Sequence, residues 1–114
     1  MFAGIYPILQ TPFDDNGAID WKSLESQIAF CLAARVHGLV IPAMASEFFA
    51  LSDKERFELV EFTLKAVHHR VPVLIGVQAV SLPVALGFAG HAVANGADGL
   101  MAMPPYLRKA RAVP

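Results

Sequence analysis

Apolar residues recur along this chain in two alternating rhythms: short continuous runs, and longer stretches in which they return every three or four positions. Gly4–Leu9 is a short run closed by Thr11-Pro12, and Asp14-Asp15-Asn16-Gly17 supplies turn residues. Asp20 then stands as the N-cap of a helix from Trp21 to about Val36, with Leu24, Ile28, Cys31 and Leu32 on one face. His37-Gly38 is expected to end it. Leu39–Pro42 is a second buried run. Ser52-Asp53-Lys54-Glu55 has the capping-box pattern, in which the serine serves the third amide and the glutamate reaches back. The helix behind it is expected to turn Phe57, Val60, Leu64 and Val67 inward. Pro72–Val77 is a third run. Ser81 opens a third helix with Ala85, Phe88, Ala92 and Val93 inward, and Asn95-Gly96 closes it. Leu100–Met103 is a fourth run, ended by Pro104-Pro105.

The order is therefore βαβαβαβ, which predicts an α/β fold with parallel strands joined by right-handed crossovers. Strand starts near Ile5, Leu39, Val73 and Gly99 recur at roughly 30 residues, the period of an eight-stranded barrel of about 250 residues. An open doubly wound sheet is the competing architecture. It commonly carries a glycine-rich phosphate turn after its first strand, and Gln10–Gly17 (QTPFDDNG) is not one. The expectation is the N-terminal half of a parallel (β/α)8 TIM barrel, with strands 1–4 in residues 1–107 and a basic tail in 108–114. Four strands cannot close a barrel, and both outer strands would offer unpaired edges. The chain reads as a fragment.

Composition agrees with buried parallel strands. Of 114 residues, 55% are hydrophobic and 17% charged, the bias that helices on both faces of a sheet impose. The net charge is −1 and the basic residues form no stripe, so no nucleic-acid partner is expected. A lone cysteine, Cys31, excludes an internal disulfide and suits a cytoplasmic location. The stretch Val71–Ala97 lacks charged residues but is broken by Pro72, Gly76, Gln78, Ser81, Pro83 and Asn95, so no membrane span is expected. His37, His68, His69 and His91 lie on or beside helices, away from the strand ends. Neither they nor Cys31 form a zinc-type cluster, and no metal site is expected.

In barrels and open α/β sheets alike, chemistry gathers at the carboxyl ends of the strands. Four segments stand there: Thr11-Pro12-Phe13, Ala43-Met44-Ala45-Ser46-Glu47, Gly76-Val77-Gln78 and Pro104-Pro105-Tyr106. The second is rich in compact residues. It is either a tightly packed loop or a nest of backbone amides for a carboxylate or phosphate. Glu47 either bonds neighbouring amides or acts on a ligand. Tyr106 follows two prolines that stiffen its backbone, so its phenol is either a packed rim residue or a proton carrier.

These same segments carry a resemblance. GIYPILQTPFDDNGAID, GLVIPAMASEFFALSDKER, VPVLIGVQAVSLPVALGFA and GADGLMAMPPY, four blocks in order from Gly4 to Tyr106, resemble the dihydrodipicolinate synthase/N-acetylneuraminate lyase family. The resemblance implies a barrel enzyme without metal or organic cofactor, acting on pyruvate or another small-molecule 2-oxo acid through a lysine Schiff base. The protonated imine draws electrons from the adjacent carbon, and the lysine must be partly desolvated to be neutral and nucleophilic. The reaction would be an aldolase or dehydratase step on 2-oxo acids or keto-deoxy sugar acids.

Residue by residue, the resemblance implies substrate-carboxylate binding at Met44 and Ala45 amides, with Ser46 and Glu47 in the same turn. Tyr106 would be the catalytic tyrosine. Met44 stands where the family has a relay threonine, and Leu107 where it has a second tyrosine, which argues against a dihydrodipicolinate synthase proper. The family's lysine lies on a later strand. Lys22, Lys54, Lys65 and Lys109 fit that role poorly, so the chain alone is expected to be inactive. A homo-oligomer is expected if the full barrel is completed. The alternative is a non-catalytic half-barrel that self-assembles or binds a carboxylate ligand.

Overall fold

A computed structural model describes residues 1–104. Its three helices are α1 (Trp21–Ala33), α2 (Asp53–Val67) and α3 (Leu82–Ala94). Its three strands are β1 (Leu39–Ile41), β2 (Val73–Gly76) and β3 (Gly99–Met101). The strands form one parallel sheet in the order β1-β2-β3, with Leu39 opposite Val73, Ile41 opposite Ile75, and Ile75 opposite Leu100. This is the N-terminal part of a parallel α/β barrel, as the alternating pattern predicts.

The first apolar run is not a regular strand, and three rather than four strands make the described sheet. Ile8 forms a single parallel bridge with Val40, through Val40 N–H to the Pro7 carbonyl (3.0 Å) and Leu9 N–H to the Val40 carbonyl (2.9 Å). The next ladder bonds on either side would come from the N–H groups of Pro7 and Pro42, and proline has none. The ladder stops after one rung in both directions.

Helix ends follow local chemistry. Asp20 accepts from the Ser23 amide at 3.0 Å, and Ser52 and Glu55 exchange both capping-box bonds at 3.1 and 2.8 Å. Ser81 occupies the N-cap position of α3 but its side chain makes no capping bond there; Pro83 sits in the first turn. α1 ends at Ala33, three residues before Val36. Arg35 turns left-handed (φ 58°), and Val36 and Arg35 N–H bond the carbonyls of Cys31 and Leu32. This is a Schellman closure without its usual glycine. Gly38, expected as the stop, instead makes room: a Cβ there would collide with the Tyr6 ring.

The core lies between the sheet and the helices. Leu39, Ile41, Val73, Ile75 and Val77 meet Leu24, Ile28 and Cys31 of α1, Leu59, Val60 and Val67 of α2, and Phe88 and Ala92 of α3. Two helical faces differ from expectation. In α2 the buried set is Arg56, Leu59, Val60, Thr63 and Val67, while Phe57 and Leu64 are half-buried. In α3 Val93 is 64% exposed, together with Leu82 and Leu86. Side chains alternate across a strand, so Val40, Leu74 and Gly76 face away from the helices, toward what is the interior of a barrel. Among the described residues, no helix is long and apolar enough to cross a membrane.

Candidate functional site

Three of the four rim segments are within the described residues and gather at the carboxyl ends of the first apolar run, β1 and β2. Tyr106 and Leu107 lie outside them, as does the tail 108–114.

The turn after β1 is built from two short 3₁₀ turns, Met44–Ser46 and Phe48–Ala50, hinged at Glu47 in the left-handed region (φ 56°). Leu51 then extends the backbone and Ser52 starts α2. The turn is anchored by Ser46, which is fully buried. Its hydroxyl accepts from the Ala43 amide (3.0 Å) and donates to the Leu9 carbonyl. Pro42 cannot offer the N–H that the parallel ladder would have aimed at Leu9, so the serine hydroxyl stands in for the missing rung. Thr11 completes the clamp from the other side, donating its hydroxyl to the Ser46 carbonyl at 2.6 Å. Two rim segments are thereby fastened to each other. The proton of Ser46 is held within the protein, which gives this residue a structural role in the turn.

With Ser46 N–H bonded to the Ala43 carbonyl and Glu47 N–H to the Met44 carbonyl, the remaining amides of the turn are those of Met44 and Ala45. Among the described residues neither has a hydrogen-bond partner. Met44 and Ala45 are exposed, as is the Glu47 side chain. The first amides of a helical turn point their N–H groups outward and favour an anion.

Two residues at the third segment were not singled out from the sequence. Arg56 on α2 is 5% exposed, and its guanidinium donates to the carbonyls of Gln78 (2.6 Å) and Gly76 (3.2 Å) while lying 3.7 Å from the Phe88 ring centroid. It fixes the end of β2 from the helix side. Gln78, 1% exposed, follows Leu74 and Gly76 in the alternation and so stands on the opposite face. The i, i+3, i+4 register of Arg56 with Leu59 and Val60 is the sequence signal that could have marked the arginine as buried.

The three lysines among the described residues, Lys22, Lys54 and Lys65, are on helices and exposed. No group of three or more potential metal-ligating side chains occurs among these residues.

A parallel sheet with helical crossovers, its strand ends gathered on one rim, defines the class of an α/β protein. Within that class, the model of the Dihydrodipicolinate synthetase family matches residues 1–112, and the chain belongs to that family. It is 35% identical over 111 residues to a 4-hydroxy-tetrahydrodipicolinate synthase of Methanosphaerula palustris, covering 96% of this chain and 38% of the relative. It is 37% identical over 108 residues to a probable 2-dehydro-3-deoxy-D-pentonate aldolase, YjhH, of Escherichia coli, covering 95% and 36%. Among solved structures it superposes on YagE of E. coli K12, a family member crystallised with pyruvate, at a TM-score of 0.93 and 32% identity, covering 97% of this chain and 37% of that one. The chain thus spans little more than a third of the length of these relatives, corresponding to the N-terminal part of their barrel.

Proposed function

We propose that this chain is the carboxylate-binding portion of a pyruvate- or 2-oxo-acid-dependent Schiff-base lyase, an aldolase or dehydratase acting on 2-oxo acids or keto-deoxy sugar acids. The observation that carries the reading is the pair of unpartnered amides at Met44 and Ala45, held at a strand end by the Ser46 clamp. A carboxylate there would accept both N–H groups, as charge-assisted bonds. Glu47 borders the same turn, and Tyr106 is assigned proton transfer by its match to the family's tyrosine. Family membership favours this over a non-catalytic half-barrel. A cytoplasmic location and a homo-oligomer of completed barrels belong to the same proposal.

The 114-residue polypeptide alone is proposed to be inactive. An imine-forming lysine must be partly desolvated, and Lys22, Lys54 and Lys65 are solvated helix residues. Borohydride reduction with pyruvate, followed by mass spectrometry, is expected to leave the chain unmodified under conditions that trap pyruvate on a full-length family lyase. An adduct on any lysine of this chain would overturn the inactivity. Pyruvate titration followed by amide NMR is expected to shift Met44 and Ala45; unchanged resonances there would overturn carboxylate binding.

A further inference from the structure

A cleft of about 720 Å³ opens between α1 and α2, lined by residues of both helices and of the segments that follow them. Its volume falls within the range of small-molecule sites, about 300–1,000 Å³. Both walls belong to the described part of the chain. Arg35 and Arg70, which line one end, follow the C-termini of α1 and α2 and stand shortly ahead of β1 and β2. That end of the cleft is therefore opposite the rim that carries the Met44 and Ala45 amides.

The lining changes in character along the cleft. Ile28, Leu32 and Val71 form apolar walls continuous with the core, and Ala29 and Ala66 are small enough to leave depth between the helices. Glu25 lines the other end, about 15 Å from Arg35 at the rise of a helix. Arg70 commits its guanidinium to the carbonyls of Ala66 (2.7 Å) and Val67 (3.0 Å), as a cap on α2. The Arg35 guanidinium has no such partner among the described residues. Arg35 also sits at φ 58°, in the closing position of α1 where glycine is usual. A left-handed backbone is unfavourable for a residue with a Cβ. What arginine brings there is an uncommitted cation at the mouth of an apolar cleft.

We propose that this cleft binds a monocarboxylate with an unbranched alkyl chain: the chain lies between α1 and α2 on Ile28, Leu32 and Val71, and the carboxylate pairs with Arg35. Charge complementarity sets the direction, because Glu25 repels an anion at the other end. The site is separate from the rim and does not depend on the 2-oxo-acid reading above.

The test titrates the 114-residue chain with hexanoate, octanoate and octanamide, following the methyl signals of Ala29 and Ala66 by NMR. Octanoate is expected to bind about fifteenfold more tightly than hexanoate, from two further buried methylenes. It is expected to bind about fivefold more tightly than octanamide, the most that an exposed ion pair supplies. That second preference should shrink as salt is raised. Arg35→Gly removes the guanidinium and places glycine where the backbone favours it, so this variant should fold and bind octanoate and octanamide equally. Shifts at Ala29 and Ala66 separate the cleft from carboxylate capture at the rim, which would move the Met44 and Ala45 amides instead. Octanoate binding no tighter than hexanoate or octanamide, a preference that survives Arg35→Gly, or unmoved alanine signals would each overturn the inference. So would alanine signals that move with protein concentration and not with octanoate, an outcome that gives the cleft to a second copy of the chain.

Discussion

Ser46 and Pro42 act as a pair at the residue scale. The proline withholds an N–H from the Leu9 carbonyl, and the serine hydroxyl supplies a donor in its place while also accepting from Ala43. Ser46→Ala would leave a buried carbonyl and a buried amide without partners. It is expected to lower stability by about 1–3 kcal/mol, measured by urea unfolding of both proteins. Ser46→Thr retains the hydroxyl, so its loss of stability would report crowding. Gln78, also buried, has its backbone carbonyl held by the Arg56 guanidinium. Cys31, buried against the sheet, has its thiol pushed above the usual value by that burial, which makes it a packing residue of low reactivity.

Among the elements, α1 carries a titratable cap. Asp20 is held below the ordinary carboxylate value chiefly by the Ser23 hydroxyl, with the Ser23 amide adding to the effect. A carboxyl whose folded pKa is depressed stabilises the fold above its unfolded pKa, and that contribution disappears as pH falls through the folded value. Unfolding curves of the natural chain and Asp20→Ala are therefore expected to differ at neutral pH and to converge in acid. A difference that stays constant through acid pH would mean that the carboxylate charge contributes nothing. α2 shows how tertiary context chooses a face: Phe57 packs at its margin against Phe88 and His91, while Arg56 takes the buried position because Gly76 and Gln78 offer carbonyls to its guanidinium.

The molecule as a whole is a parallel sheet whose helices cover one face and whose last strand is poorly covered. Leu82 and Leu86 of α3 are 70% and 60% exposed, and Leu100 of β3 is 44% exposed. Apolar surface of this kind favours association with another apolar partner. The isolated chain is expected to show concentration-dependent association by light scattering, and Leu82→Glu combined with Leu86→Glu to reduce it. Equal scattering from both proteins would place the contact elsewhere.

By itself the sequence determined the alternation of helix and strand, the capping residues Asp20, Ser52 and Gly96, and the segments that share the rim. These are local matters of period, turn chemistry and chain order. The family was legible too, because its four blocks preserve order and spacing. Only the tertiary structure decided that the first apolar run bridges once, since the effect of Pro7 depends on the strand beside it. The same holds for Ser46, whose hydroxyl is committed by a carbonyl 37 positions away, and for Arg56 and Gln78, whose hydrogen bond joins a helix to the end of a strand. A hydrogen bond depends on which groups meet in space, and hydrophobic periodicity does not specify those meetings.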